Sequence, residues 1–151
     1  MRGVLFVAVV VAGTSILAVA QKHPSFEGTW NMDKVHSQYP AQSATELIHQ
    51  QGQLIDVTIT EKSPGHPNSP MQLHLSTDGK PVVSTVGPNK FTSMTHWEGD
   101  KLVTFVEGDR GQHMTETRQL SPDGKTLTVT GYHQDDQTNP YYVRVMVRSE
   151  P

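Results

Sequence analysis

The chain predicts an all-β fold of short antiparallel strands, closed into an up-and-down barrel of about 8–10 strands. Three observations carry that expectation. After residue 20 there are fifteen threonines and only two alanines, Ala41 and Ala44. Alanine is the best helix former, whereas threonine is stiff at its first torsion and suits a pleated strand. Apolar residues recur at every second position, the period of a half-buried strand. Glycine-bearing turns separate these runs at hairpin spacing.

Strands are expected over residues 26–32, 45–51, 54–62, 71–77, 81–87, 90–97, 101–107, 112–120, 126–133 and 141–148. Ile55, Val57 and Ile59 alternate with Asp56, Thr58 and Thr60, and Met71, Leu73 and Leu75 with Gln72, His74 and Ser76. Leu127 and Val129 oppose Thr126, Thr128 and Thr130, while Val143, Val145 and Val147 oppose Tyr142, Arg144, Met146 and Arg148. Asp78-Gly79, Glu98-Gly99-Asp100, Gly108-Asp109-Arg110-Gly111 and Ser121-Pro122-Asp123-Gly124 supply the turns. Such short connections carry no crossover, so sequential strands are antiparallel. Longer loops are expected over 63–70 and 135–140. So many strands in one meander must protect their edges. Closure does so fully and a two-sheet sandwich, the alternative, only in part. The apolar content is 34% with the first twenty residues included, thin for two packed inner faces. It suits a barrel whose interior is partly polar or empty.

Residues 1–20 obey different rules. Arg2, the apolar run 4–12 and the small-x-small Ala18-Val19-Ala20 read as a secretory leader cut after Ala20. Its length, close to the ~17 residues that span a bilayer, leaves a retained anchor as the alternative. With the leader removed, one domain over 21–151 is expected, secreted or periplasmic, with no membrane span. The chain has no cysteine, which points to a bacterial exported protein. A net charge of −3, scattered along the chain, excludes a nucleic-acid partner of the basic-stripe kind.

Eight histidines (His23, His36, His49, His66, His74, His96, His113 and His133) form no His-x-His or His-Glu-x-x-His pattern, so no metal site is expected. His133 shares the parity of Leu127 and Val129, which would turn it inward. There is no Gly-x-Ser-x-Gly, and Ser84 and Ser93 fall mid-strand. Glu116 and Arg118 share the parity of Met114 and Leu120, as an inward, mutually neutralised pair would. Such a pair suits the polar end of a ligand; an outward face on that strand is the alternative. Phe91 and Trp97 share one face, Phe105 and Val103 another.

The segment Phe26-Glu27-Gly28-Thr29-Trp30 carries a Gly-x-Trp on the first strand, and there the chain resembles the calycin superfamily of lipocalins and fatty-acid-binding proteins. The stretch from Trp97 to Tyr132, with Trp97-Glu98-Gly99-Asp100-Lys101-Leu102 and Leu120-Ser121-Pro122-Asp123-Gly124-Lys125, resembles bacterial exported lipocalin-like proteins. The resemblance implies that Trp30 plugs one barrel end beside Gly28, with Arg144 or Arg148 packed across its ring. It leaves residues 33–90 unmatched. No Thr-Asp-Tyr occurs, and 33–44, with Pro40 inside, is too short for the two helices of fatty-acid-binding proteins.

The reading that follows is a non-catalytic barrel holding a small hydrophobic or amphipathic molecule, with no cofactor. By parity its wall would include Ile55, Val57, Leu73, Phe91, Phe105, Leu127 and Val145, and its polar contacts Glu116 and Arg118. The open end would lie away from Trp30. A filled barrel acting as a protein-interaction or envelope module, and an enzyme on the same scaffold with Glu116 as base, are the alternatives.

Overall fold

A computed structural model describes residues 23–150 apart from 66, 67 and 69. The expected leader and His66 lie outside the described residues. Ten strands follow in chain order: β1 (Gly28–Met32), β2 (Ser43–Gln51), β3 (Leu54–Lys62), β4 (Met71–Ser76), β5 (Val82–Val86), β6 (Asn89–Glu98), β7 (Lys101–Gly108), β8 (His113–Leu120), β9 (Thr126–His133) and β10 (Tyr142–Arg148). They form a single antiparallel sheet in the order β4-β3-β2-β1-β10-β9-β8-β7-β6-β5. The first and last strands pair, with Trp30 opposite Arg148 and Met32 opposite Met146. The sheet therefore curls into a nearly closed up-and-down barrel, and the sandwich alternative is not adopted.

One seam remains, between β4 and β5, the two ends of the strand order. Side chains stitch it. The His74 N–H donates to Ser84 Oγ at 2.9 Å, and Ser93 Oγ lies 3.3 Å from the carbonyl oxygens of both His74 and Val82. At the seam's end the Gly79 N–H donates to the Thr95 carbonyl at 3.0 Å. The two mid-strand serines thus satisfy edge groups that a ladder would otherwise pair.

Alternation places the core. On β3, Ile55, Val57 and Ile59 are each 1% exposed, and on β9 Leu127 and Val129 are fully buried. Phe26, Trp30, Ile48, Leu75, Leu102 and Met146 join them. Most of this cluster fills the end of the barrel where Gly28 begins β1, while Ile59 and Leu75 also border the cavity described below. Gly28 sits at φ 128°, a conformation open to glycine, and an added Cβ would stand 2.8 Å from Arg148 Nη1. The positive φ requires that glycine.

The segment 33–42 carries no helix. It runs on beside β10 instead: Asp33 N–H donates to the Val145 carbonyl at 2.7 Å, and Gln38 and Val143 exchange two backbone hydrogen bonds of 2.8 and 3.0 Å. Lys34 Nζ then donates to the carbonyls of Tyr39 and Ala41 at 2.5 and 2.8 Å. That clasp turns Tyr39 toward the lumen.

Candidate ligand-binding site

The two halves of the lumen differ. The half at the Gly28 end is packed solid. Trp30 is fully buried, its Nε1 donates to the Phe26 carbonyl at 2.9 Å, and the Arg148 guanidinium lies 4.2 Å above its ring. Arg148 is fixed in turn by donating to the carbonyls of Glu27 at 2.6 Å and Gly124 at 3.2 Å. Trp97 seals the same end, stacked on Phe26 and His23 at 5.5 and 4.5 Å.

The other half is hollow. A cavity of about 240 Å³ is walled by Ile59, Met71, Leu73, Leu75, Phe91, Val106 and Met114, with Glu116, Arg118, Tyr142 and Arg144 on its inner side. Its volume falls just below the ~300–1,000 Å³ common for small-molecule sites. The lining comes from the length of β4, from the first half of β6 and β10, from β8, and from the end of β3 and β7.

A belt of buried charge adjoins the cavity. Arg118 Nη1 donates to Glu116 Oε1, and the Tyr142 hydroxyl donates to Glu116 Oε2. Arg144 Nη2 lies 3.0 Å from Glu46 Oε1 and 3.3 Å from Glu116 Oε2, and its Nη1 lies 3.4 Å from Glu61. Arg118 Nη2 reaches Glu46 Oε2 at 3.5 Å. Tyr39 covers the belt from its loop: its hydroxyl donates to Glu61 at 2.5 Å, and the Arg144 guanidinium lies 5.0 Å from its ring. Glu46, Glu116, Arg118 and Arg144 are each no more than 6% exposed. Buried ions at this density persist only because each faces an opposite charge.

Burial pushes the Glu116 carboxyl up, but the Arg118 and Arg144 guanidiniums more than offset it and hold it below the ordinary glutamate value. Burial also raises the phenols of Tyr39 and Tyr142, which keeps both protonated and donating. A pH dependence follows. The unfolded chain titrates Glu116 near the usual 4.5 and the folded chain below it, so in that interval the unfolded state binds more protons. The contribution to stability is whole above 4.5 and drains away as the pH falls through the lowered folded value. Urea unfolding at stepped acid pH is expected to lose stability more steeply in the native protein than in Glu116→Gln. Equal slopes would refute it.

Leu73 and Phe91 line the cavity, and Glu116 and Arg118 form a buried inward pair beside it. Ile55, Val57 and Leu127 point inward but belong to the packed half. Two expected wall residues point the other way. On β10 the inward positions are Tyr142, Arg144 and Met146, so Val145 faces out; that strand gives its inner face to the charge belt and carries valines outside. On β7 the lining residues are Thr104, Val106 and Gly108, so Phe105 faces out and stacks on His113 at 5.8 Å. Apolar residues on both faces of β7 had hidden its parity. Of the two arginines offered for the Trp30 ring, Arg148 lies over it, whereas Arg144 stands in the belt. His133 is exposed at the barrel rim against Tyr141, not inside.

Sequence reasoning missed Tyr39, Glu46 and Glu61. Glu46 shares the parity of Ala44 and Ile48, both buried on β2, a signal blurred by the adjacent Leu47. It also missed Gly131, where a Cβ would collide with the Tyr142 ring. That ring packs against the glycine, and its hydroxyl reaches Glu116. Among the described residues no group of three or more metal-ligating side chains is assembled, and no helix is long and apolar enough to cross a membrane.

This architecture is found in solved structures. The fluorescent protein UnaG is similar at 22% identity and a TM-score of 0.59, over 82% of this chain and 97% of that one. A secretory abundant heat soluble protein of Ramazzottius varieornatus is similar at 12% identity and 0.66, over 85% and 98%. Fatty-acid-binding protein 1 of Echinococcus granulosus is similar at 13% identity and 0.61, over 83% and 98%. No family model and no curated protein sequence matches the chain.

Proposed function

We propose that the chain is an exported, non-catalytic barrel that holds one small, mainly apolar molecule in the hollow half of its lumen. The cavity carries this reading. Its wall is aliphatic, aromatic and thioether, and its inner side ends on donors and acceptors that can orient a ligand. Burial of apolar ligand surface supplies the driving force, at ~25 cal/mol per Å². Two further observations support it. Barrels of the same fold include a fatty-acid-binding protein and a fatty acid transporter. The leader-like residues 1–20 would take the chain out of the cytoplasm.

Nile red, a neutral dye that brightens in apolar surroundings, tests the reading. It is expected to bind the purified barrel saturably, one dye to one chain. Leu73→Trp, which fills the cavity from β4, is expected to weaken that binding about tenfold or more with the circular dichroism unchanged. Dye that binds the variant as tightly as the native protein would place the site elsewhere and overturn the proposal.

A further inference from the structure

The belt of charge does more than line the site. Arg118 and Arg144 face the cavity, each no more than 2% exposed. Each is already answered from within: Arg118 by Glu116 and Glu46, and Arg144 by Glu46, Glu116 and Glu61. Three carboxylates therefore face two guanidiniums, and the belt carries a net charge of −1. The charged side chains among the lining residues are Glu116, Arg118 and Arg144, and Glu46 and Glu61 contact the two arginines without lining the cavity themselves. An anionic head entering the cavity would shed its water and meet no surplus positive charge, a cost with nothing to offset it.

A neutral head sheds less water on entry and avoids that cost. Arg118 Nε and Arg144 Nε are buried without a hydrogen-bond partner among the described residues, whereas Arg118 Nη2 is turned to Glu46 Oε2 at 3.5 Å. Guanidinium N–H groups only donate. Their complement is an acceptor without charge: a hydroxyl, ether, ester or ketone oxygen.

We propose that the cavity selects amphipathic molecules with an uncharged oxygen-bearing head, and that Glu46 and Glu116 are the residues that exclude carboxylates. The inference rests on the ligand-binding reading above and narrows it. Glu116 suits this part because the flanking guanidiniums, acting against its burial, keep it ionised at neutral pH. Glu46, fully buried within reach of both arginines, closes the second position a ligand carboxylate would take.

Three ten-carbon probes, decanol, methyl decanoate and decanoate, competed against Nile red at neutral pH test it. On the native protein, decanol and the methyl ester are expected to displace the dye at concentrations about tenfold or more below decanoate. The deciding readout is the ester-to-acid ratio, which cancels differences in overall stability. In Glu116→Gln, which takes the belt from a net charge of −1 to 0, decanoate is expected to gain about tenfold on its ester. Glu46→Gln is expected to move the ratio the same way, and serves if Glu116→Gln does not fold. Decanoate that equals or betters its ester on the native protein, or a ratio unmoved in the folded variants, would overturn the proposal while leaving a ligand-binding barrel. If the dye itself does not bind, the underlying reading falls and this one with it.

Discussion

Trp30→Ala is expected to destabilise the barrel by about 3–5 kcal/mol, the usual cost of truncating a large core aromatic. The reasons are local and additive in kind. The indole is fully buried in the packed end, so its loss opens a cavity that β1, held between β2 and β10, cannot collapse to fill. The hydrogen bond from Nε1 to the Phe26 carbonyl disappears and leaves that oxygen unanswered. The Arg148 guanidinium loses the ring it covers. Chemical denaturation measures the sum. A loss below about 1 kcal/mol, the range of ordinary surface changes, would show that the plug contributes little to the closed end.

Arg144→Met is expected to cost a comparable amount, about 3–5 kcal/mol, for an electrostatic reason. It leaves Glu46, Glu61 and Glu116 facing Arg118 alone, which takes the belt from a net charge of −1 to −2. Glu46 suffers most, because Arg144 Nη2 at 3.0 Å is its nearest cation. The double variant Glu46→Met with Arg144→Met restores the original net charge and replaces the pair with apolar groups of similar reach. It is expected to recover most of the loss, as buried pairs exchanged for packed apolar residues commonly do. A double mutant no more stable than Arg144→Met would show that the two side chains are not coupled.

Much of the fold was legible because the strands on which it rests keep strict alternation. β3 and β9 show their inner faces directly, and the glycine turns forced antiparallel neighbours. The packing of a last-strand arginine on Trp30 was implied by the resemblance of the first strand to calycins, which left Arg144 and Arg148 both open. The site was legible only in part. Glu116 and Arg118 stand two residues apart on one strand, so their common face could be read from parity. Glu46 meets Arg118 across the lumen from β2 to β8, strands that are not neighbours in the sheet, and no periodicity encodes that contact. The charge belt also inverted β10: its inner face went to Tyr142 and Arg144, so the outward valines read as the wall. Tyr39 lay in a segment without pattern, placed by the Lys34 clasp rather than by strand parity.

The central claim is that one half of this barrel is a ligand chamber and the other half a sealed core. An NMR titration of the backbone amides and methionine methyls with methyl decanoate tests it most directly. Saturable shifts are expected, one ligand per barrel, centred on Leu73, Phe91, Val106 and Met114, with Ile55, Val57 and Leu127 unmoved. No saturable shift, or shifts on outward residues such as Leu47 and Val83, would contradict it.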